Sequence, residues 1–284
     1  METRAVRSRA RRIESGLVRE GEDDAHDGDV AVTGQGASVW RGGMQRQAGG
    51  QKPPALARLA AIGQIGRGNG GNDMSDCFDD PATRIEDADA LRGHIGPVSP
   101  LAASKMLRRL DHFCRDFIAL SPFLVLASCD AEGNADASPR GDGPGFVRVL
   151  DDTTLLIPDR RGNNLIDSFR NIVSSPGVGL VFMVPGIPET LRVNGKARAT
   201  RDPALLAPSV MQERVPVTGL IVAVEEAYFH CGKALIRSKL WDPASQVPRH
   251  SFPTLGRIIA DQTKAVDGDE ADRNLEEAYR TRLY

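Results

Sequence analysis

Six short apolar runs, each of strand length and each bounded by turn residues, constrain this chain more than any other feature. They are FLVLASC (123–129), FVRVLDD (146–152), TTLLIPD (153–159), VGLVFMVPG (178–186), ETLRVNGKARAT (189–200) and GLIVAVEEAYFH (219–230). Their residues are rich in Val, Ile, Leu and Phe, which fit a pleated, half-buried surface. In ETLRVNGKARAT the polar residues Arg192, Asn194, Lys196 and Arg198 recur at period two, so they share an outward face. DAEGN and Asp151–Asp152 read as hairpin turns. Several short strands with few crossover helices imply antiparallel pairing. The expected fold class is mostly β (α+β): a barrel with flanking helices, not a doubly wound parallel sheet.

Helical periodicity appears between and around these runs. Leu107, Leu110, Phe113, Phe117 and Leu120 are spaced three or four apart. They predict one helix from Ser99, as N-cap with Pro100 at the first position, to the stop at Pro122. A second helix is expected at about Asn164–Val173, and a short one opened by Asp202 and Pro203. Further helices are expected from near Lys233, in SFPTLGRIIADQT and in DRNLEEAYRTRLY. ADASPRGDGPGF begins as a strand, but its proline and glycines predict broken pairing.

The first 73 residues have a different texture. They hold about half of the 29 glycines and a single aromatic residue, Trp40. Such a stretch buries too little apolar surface to offset its ordering entropy. Met74 is a candidate initiator, with residues 1–73 a mispredicted or dispensable extension; a disordered tail is the alternative. PPALARLAAIGQI within it could form a short helix. The expected organisation is an extension at 1–73, a linker at 74–98, the barrel domain at 99–265 and a helical tail at 266–284.

Composition removes some classes of function. A formal net charge of -2 argues against bulk nucleic-acid binding. No run approaches the eighteen apolar residues of a membrane span, and the arginine-rich start lacks the apolar core of a secretory signal. The cysteines, Cys77, Cys114, Cys129 and Cys231, are scattered and form no ligand-spaced group. No metal site or disulfide framework is expected, and a reduced, cytoplasmic setting is the default.

Three clusters carry candidate chemistry. The first is Pro158-Asp159-Arg160-Arg161-Gly162-Asn163-Asn164, between a strand end and a helix start. Helix starts present unpaired N–H groups that favour an anion. Arg160 or Arg161 adds a fork suited to phosphate oxygens, Gly162 admits close backbone approach, and Asn163 or Asn164 can cap the helix or donate to a ligand. An asparagine-capped helix after a solvated turn is the plainer reading. The second cluster, ASPRGDGPGF, sets Ser138, Arg140 and Asp142 on alternate positions; a bulged edge strand with a solvated arginine is its plainer reading. If Arg140 and Arg161 converge, an anion between them relieves their repulsion. The third, HCGKALIRSKLWDP, places Lys233, Arg237 and Trp241 at spacing four, on one helical face. That stripe is either solvated surface over a packed indole or a contact for a flat ligand.

In FLVLASCDAEGNADASPRGD, TTLLIPDRRGNNLIDSFRNIVSSPGVGLVFMVPG, ETLRVNGKARAT and CGKALIRSKLW, the segment from about Phe123 to Trp241 resembles the pyridoxamine 5'-phosphate oxidase-like superfamily of FMN-binding split β-barrels. The likeness is nearest to an uncharacterised bacterial branch with the PDRRGNN and KALIRSKLW signatures. The resemblance implies an FMN site. Arg140 would reach the phosphate from the strand, and Arg160 or Arg161 with Asn164 would meet it at the helix start. Pro158 and Asp159 would border the ring or ribityl chain, Arg192 would pass near the ring, and Arg237 and Trp241 would border the flavin. It also implies a homodimer with flavin sites at the subunit interface, and a small-molecule substrate. The family's Asn-Pro before the apolar strand is here Ser175-Pro176. The interruption GDGPGF replaces the strand that carries a lysine in the pyridoxal-phosphate-making enzymes, and RSKLWDP replaces their Trp-then-Arg-His pattern. Both departures count against true pyridoxamine 5'-phosphate oxidase activity. The expected function is FMN-dependent hydride transfer through flavin N5. The alternative is a non-catalytic binding, storage or sensor protein for a flavin, or a barrel holding a deazaflavin or haem. For haem the candidate ligand is His230, which reads more plainly as a strand-end histidine.

Overall fold

The computed structural model describes residue 80, residues 83–162 and residues 164–284. The expectations for residues 1–73, and that for Asn163, lie outside these. Within the described residues the helices are α1 (Ala88–Ile95), α2 (Pro100–Ser104), α3 (His112–Leu120), α4 (Asp167–Ser174), α5 (Pro203–Leu206), α6 (Lys233–Ser238), α7 (Leu255–Thr263) and α8 (Gly268–Thr281). The strands are β1 (Phe123–Cys129), β2 (Ala135–Gly141), β3 (Arg148–Asp151), β4 (Thr154–Pro158), β5 (Gly177–Met183), β6 (Thr190–Thr200) and β7 (Gly219–His230).

All seven strands form one sheet in the order β2-β1-β5-β6-β7-β4-β3, and every neighbouring pair is antiparallel. The fold is a split β-barrel of antiparallel strands with flanking helices. The alternation read from the sequence sets the faces. Leu124 and Leu126 of β1, Leu180 and Phe182 of β5, Leu191 and Val193 of β6, and Leu220 and Val222 of β7 are buried and share one core with Leu155 and Ile157 of β4. Phe117 and Ile118 of α3 and Ile172 of α4 pack onto it. Each such side chain contributes roughly 1.5–3 kcal/mol of burial.

β6 and β7 fall out of register once, between Asn194 and Gly195, so that Glu225 is the extra residue of a bulge. Gly195 makes this possible. A Cβ there would stand 2.0 Å from the carbonyl oxygen of Ala223, inside any allowed contact.

Three local expectations need correction. The helix expected over 99–120 is two helices. Between them the Leu107 N–H donates to the Ala227 carbonyl, and Ala227 N–H donates back, so this segment pairs with β7. Ser99 and Pro100 open α2 as N-cap and first helical residue, as expected, although the Ser99 side chain makes no capping bond. The second helix, α3, has its own cap in Asp111, which accepts from the Cys114 N–H at 2.8 Å. β2 pairs with β1 through Gly141, across Pro139, because an edge strand can leave one N–H position facing away from its neighbour. Finally, α4 starts at Asp167. Asn164 and Ile166 take left-handed conformations (φ 59° and 53°), and neither is a side-chain cap. The stretch expected as linker contains α1, capped by Asp87. Among the described residues, no helix is long and apolar enough to cross a membrane, and no group of three or more His, Cys, Asp or Glu is placed to hold a metal ion.

Candidate functional site

A cleft of about 1140 Å³ is walled by β2, the end of β4 and the turn after it, the start of α4, and the loop before β7. β2 is first in the sheet order and β4 is sixth. Arg140 and Pro158 nonetheless line the same space, so the sheet curls upon itself and closes the cleft across its split.

Ser138, Arg140, Pro158, Asp159, Arg160, Arg161 and Asn164 all line this cleft. Ser138 and Arg140 share the inward-leaning face of β2, as their alternation required. The Arg140 guanidinium donates to Ser138 Oγ and, at 2.9 Å, to the Pro139 carbonyl, both uncharged acceptors. Desolvation pushes its pKa below the ordinary value, and the charges of Asp159 and Asp136 work against that. Asp159 is displaced upward: burial raises it, while the Thr218 hydroxyl (3.3 Å) and Arg140 hold it back.

The two adjacent arginines are not equivalent. Arg160 donates through Nε to Asp142 at 2.6 Å and through Nη1 to the Ser209 carbonyl at 2.9 Å. The Asp142 side chain is 1% exposed and that of Arg160 17%. Burial alone would raise the Asp142 pKa. The Gly143 amide, the Tyr284 hydroxyl and Arg160 together hold it below the ordinary carboxylate value. Asp142 therefore stands behind the wall, and it turns Arg160 into a buried tie. Arg161 is exposed on the cleft side with Gly162, where a Cβ would meet nothing within 4 Å. The glycine leaves room at the turn that the fold itself does not fill.

The third cluster lies elsewhere. α6 ends at Ser238, because Lys239 turns left-handed (φ 54°) and its N–H closes on Ile236. Lys233 and Arg237 are exposed on α6. Trp241 lies beyond it, half-buried, donating to the Ile187 carbonyl at 2.9 Å, so the three do not share a helical face. Arg192 sits 5.2 Å over the Tyr228 ring. Neither these four nor His230, which pairs with Thr190 at the end of β7, lines the cleft.

Sequence reasoning missed the far wall: Arg214 to Thr218 and Tyr284. VPVTG (215–219) carries no chemical signature, and Tyr284 lies far along the chain. Its approach depends on α7 and α8 pairing into a hairpin, where Asp272 accepts from the Thr254 hydroxyl (2.5 Å) and the Gly256 N–H (2.9 Å).

A curled antiparallel sheet with an arginine-lined cleft across its opening is the architecture of a split barrel. Residues 110–231 match the family model described as pyridoxamine 5'-phosphate oxidase. Over that segment, 122 of the 284 residues, the chain is similar to the pyridoxamine 5'-phosphate oxidase-like split-barrel proteins. No curated protein matches the sequence. Among solved structures, HupZ of Group A Streptococcus is 18% identical over 42% of this chain and 93% of its own, with a TM-score of 0.36. A candidate pyridoxamine 5'-phosphate oxidase from Lactobacillus delbrueckii is 21% identical over 43% and 95%, with a TM-score of 0.35. The FAD binding protein of Mycobacterium smegmatis is 18% identical over 44% and 97%, with a TM-score of 0.31.

Proposed function

We propose that the cleft holds FMN and that the protein is an FMN-dependent oxidoreductase acting on a small molecule. One observation carries the reading: the guanidinium of Arg140, half-buried and, among the described residues, hydrogen-bonded to uncharged acceptors alone, faces the same cleft as the Arg161–Gly162 turn. A phosphate between them would meet two guanidiniums and, at Gly162, a backbone free to approach. Charge-assisted bonds of this kind are worth roughly 1.5–3 kcal/mol each before ordering costs. The cleft volume accommodates a ring system beyond the phosphate.

Bound here, a flavin would supply a hydride acceptor at its N5. The chain's own residues bind and orient it. Arg140 and Arg161 fix the phosphate end, and Ser138 and Asn164 offer neutral donors beside them. Pro158 and Phe146 present apolar walls, while Asp159 and Thr218 border the interior. No side chain in the cleft needs to act as a nucleophile on this reading.

A homodimer is part of the proposal. Leu165, Ile166, Val215 and Val217 are 47–85% exposed around the cleft mouth, more apolar surface than a solvated rim needs. A second copy would cover them and could bring Arg192, Lys233, Arg237 or Trp241 to the ring. We place the protein in the cytoplasm on its scattered thiols. The test is purification of the full chain, analytical ultracentrifugation, and titration with FMN followed by anaerobic reduction with a nicotinamide cofactor. Binding without turnover would favour a carrier or sensor; a Soret band would favour haem.

A further inference from the structure

Tyr284 reaches the cleft from a part of the chain that the phosphate turn does not adjoin, and it is held at three points. Its hydroxyl donates to Asp142 Oδ1 at 2.8 Å, its ring lies 5.8 Å from the Arg160 guanidinium, and its main-chain oxygen accepts from Arg214 Nη1. Asp142 is thus a buried carboxylate with three donors: the Gly143 N–H, Arg160 Nε and the Tyr284 hydroxyl. Two of these belong to segments that line the cleft. Arg160 immediately precedes Arg161 and Gly162. Whatever holds Arg160 against Asp142 therefore fixes the start of the turn that presents the exposed guanidinium. The Tyr284 ring, meanwhile, lines the cleft itself.

We propose that Tyr284 is a positioning residue of the ligand site: through Asp142 it holds the Arg160–Gly162 turn in its ligand-ready shape, so that docking of the α7–α8 hairpin and occupation of the cleft reinforce each other. The proposal rests on the flavin reading for its ligand, but not for the coupling between Tyr284 and the turn. Removing the hydroxyl leaves Asp142 one donor short in a buried setting and loosens its grip on Arg160. Removing the ring also opens the far wall to water.

The test uses the full chain and FMN as probe. Tyr284→Phe is expected to weaken FMN binding about tenfold, and Tyr284→Ala further. Arg160→Met acts through the same carboxylate, so the Tyr284→Phe/Arg160→Met double variant loses less than the product of the single losses. A merely structural role for Tyr284 would lower stability without that non-additivity. FMN is also expected to slow amide exchange over 268–281 in the wild type and to leave it unchanged in Tyr284→Ala. FMN affinity within twofold of wild type in both Tyr284 variants would overturn the proposal, as would multiplicative losses in the double variant. If the wild type binds no FMN, the flavin reading falls and the coupling is judged in the ligand-free protein. Faster exchange at Arg160–Gly162 in Tyr284→Phe then upholds it, and unchanged exchange overturns it.

Discussion

Arg160 and Asp142 form a nearly buried ion pair at 2.6 Å, and this separates the roles of two arginines that are neighbours in sequence. Arg160 is spent within the wall; Arg161 is offered to the cleft. Arg161→Ala should therefore weaken FMN binding ten- to a hundredfold while leaving the thermal midpoint nearly unchanged. Arg160→Met should lower stability by about 3–5 kcal/mol, the usual cost of stranding a buried charge. Calorimetric unfolding and flavin titration on the two variants check the contrast.

Arg140 is expected to matter for the ligand more than for the fold. Its hydrogen bonds run to Ser138 and Pro139 on its own edge strand, and its tie beyond that strand is the charge attraction to Asp159. Arg140→Ala should give folded protein with a normal circular dichroism spectrum and little flavin. Full flavin occupancy in that variant would remove Arg140 from the site.

Asp142 and Asp159 should respond to acid with opposite signs. Against the desolvation of burial, the Gly143 amide, the Tyr284 hydroxyl and Arg160 hold the Asp142 carboxyl below its ordinary value of 3.8 in the folded state. Its contribution is complete above that value and is lost as pH falls through the lower folded pKa. Asp142→Asn should then destabilise at pH 7, with the gap to wild type closing below about pH 4. Burial raises Asp159, so its charge opposes folding once the pH exceeds the unfolded value. Ligand-free Asp159→Asn should be more stable than wild type at pH 7 and equal to it in acid. Urea unfolding at stepped pH measures both.

Gly195 tests the sheet rather than the cleft. Gly195→Ala drives a methyl group into the Ala223 carbonyl at the β6–β7 bulge, and no side chain there can yield. We expect a loss of about 3 kcal/mol or more, read from denaturant midpoints.

The thiols report burial independently. Cys114 is 1% exposed, and burial together with Asp111 pushes its pKa up to about 12; Cys231 is exposed. Brief iodoacetamide treatment of the folded protein should label the peptide with Cys231 and spare Cys114, since the thiolate is the reactive form. Mass spectrometry of the digest decides.

Much of the fold was legible because period-two alternation is a local property. β5, β6 and β7 sit where their apolar runs predicted, and Asp202 caps α5 as its spacing implied. The failures share a cause. Leu107 to Leu110 carry helical spacing, but a hydrogen bond to Ala227, far away in sequence, takes that backbone instead. The turn at Arg160–Gly162 and the motif around Arg140 were both visible as clusters. That they face one another follows from the curl of the sheet, which no window of residues contains. Tyr284 and Arg214 were invisible for the same reason, and Trp241 left its expected face because Lys239 ended the helix two residues earlier.

Equilibrium titration of the purified full chain with FMN, compared with riboflavin, tests the central claim most directly. A site built around Arg140 and Arg161 should bind FMN at least a hundredfold more tightly than riboflavin, which differs only in lacking the phosphate. Equal affinity for the two, or binding of neither, would contradict a phosphate held between those arginines.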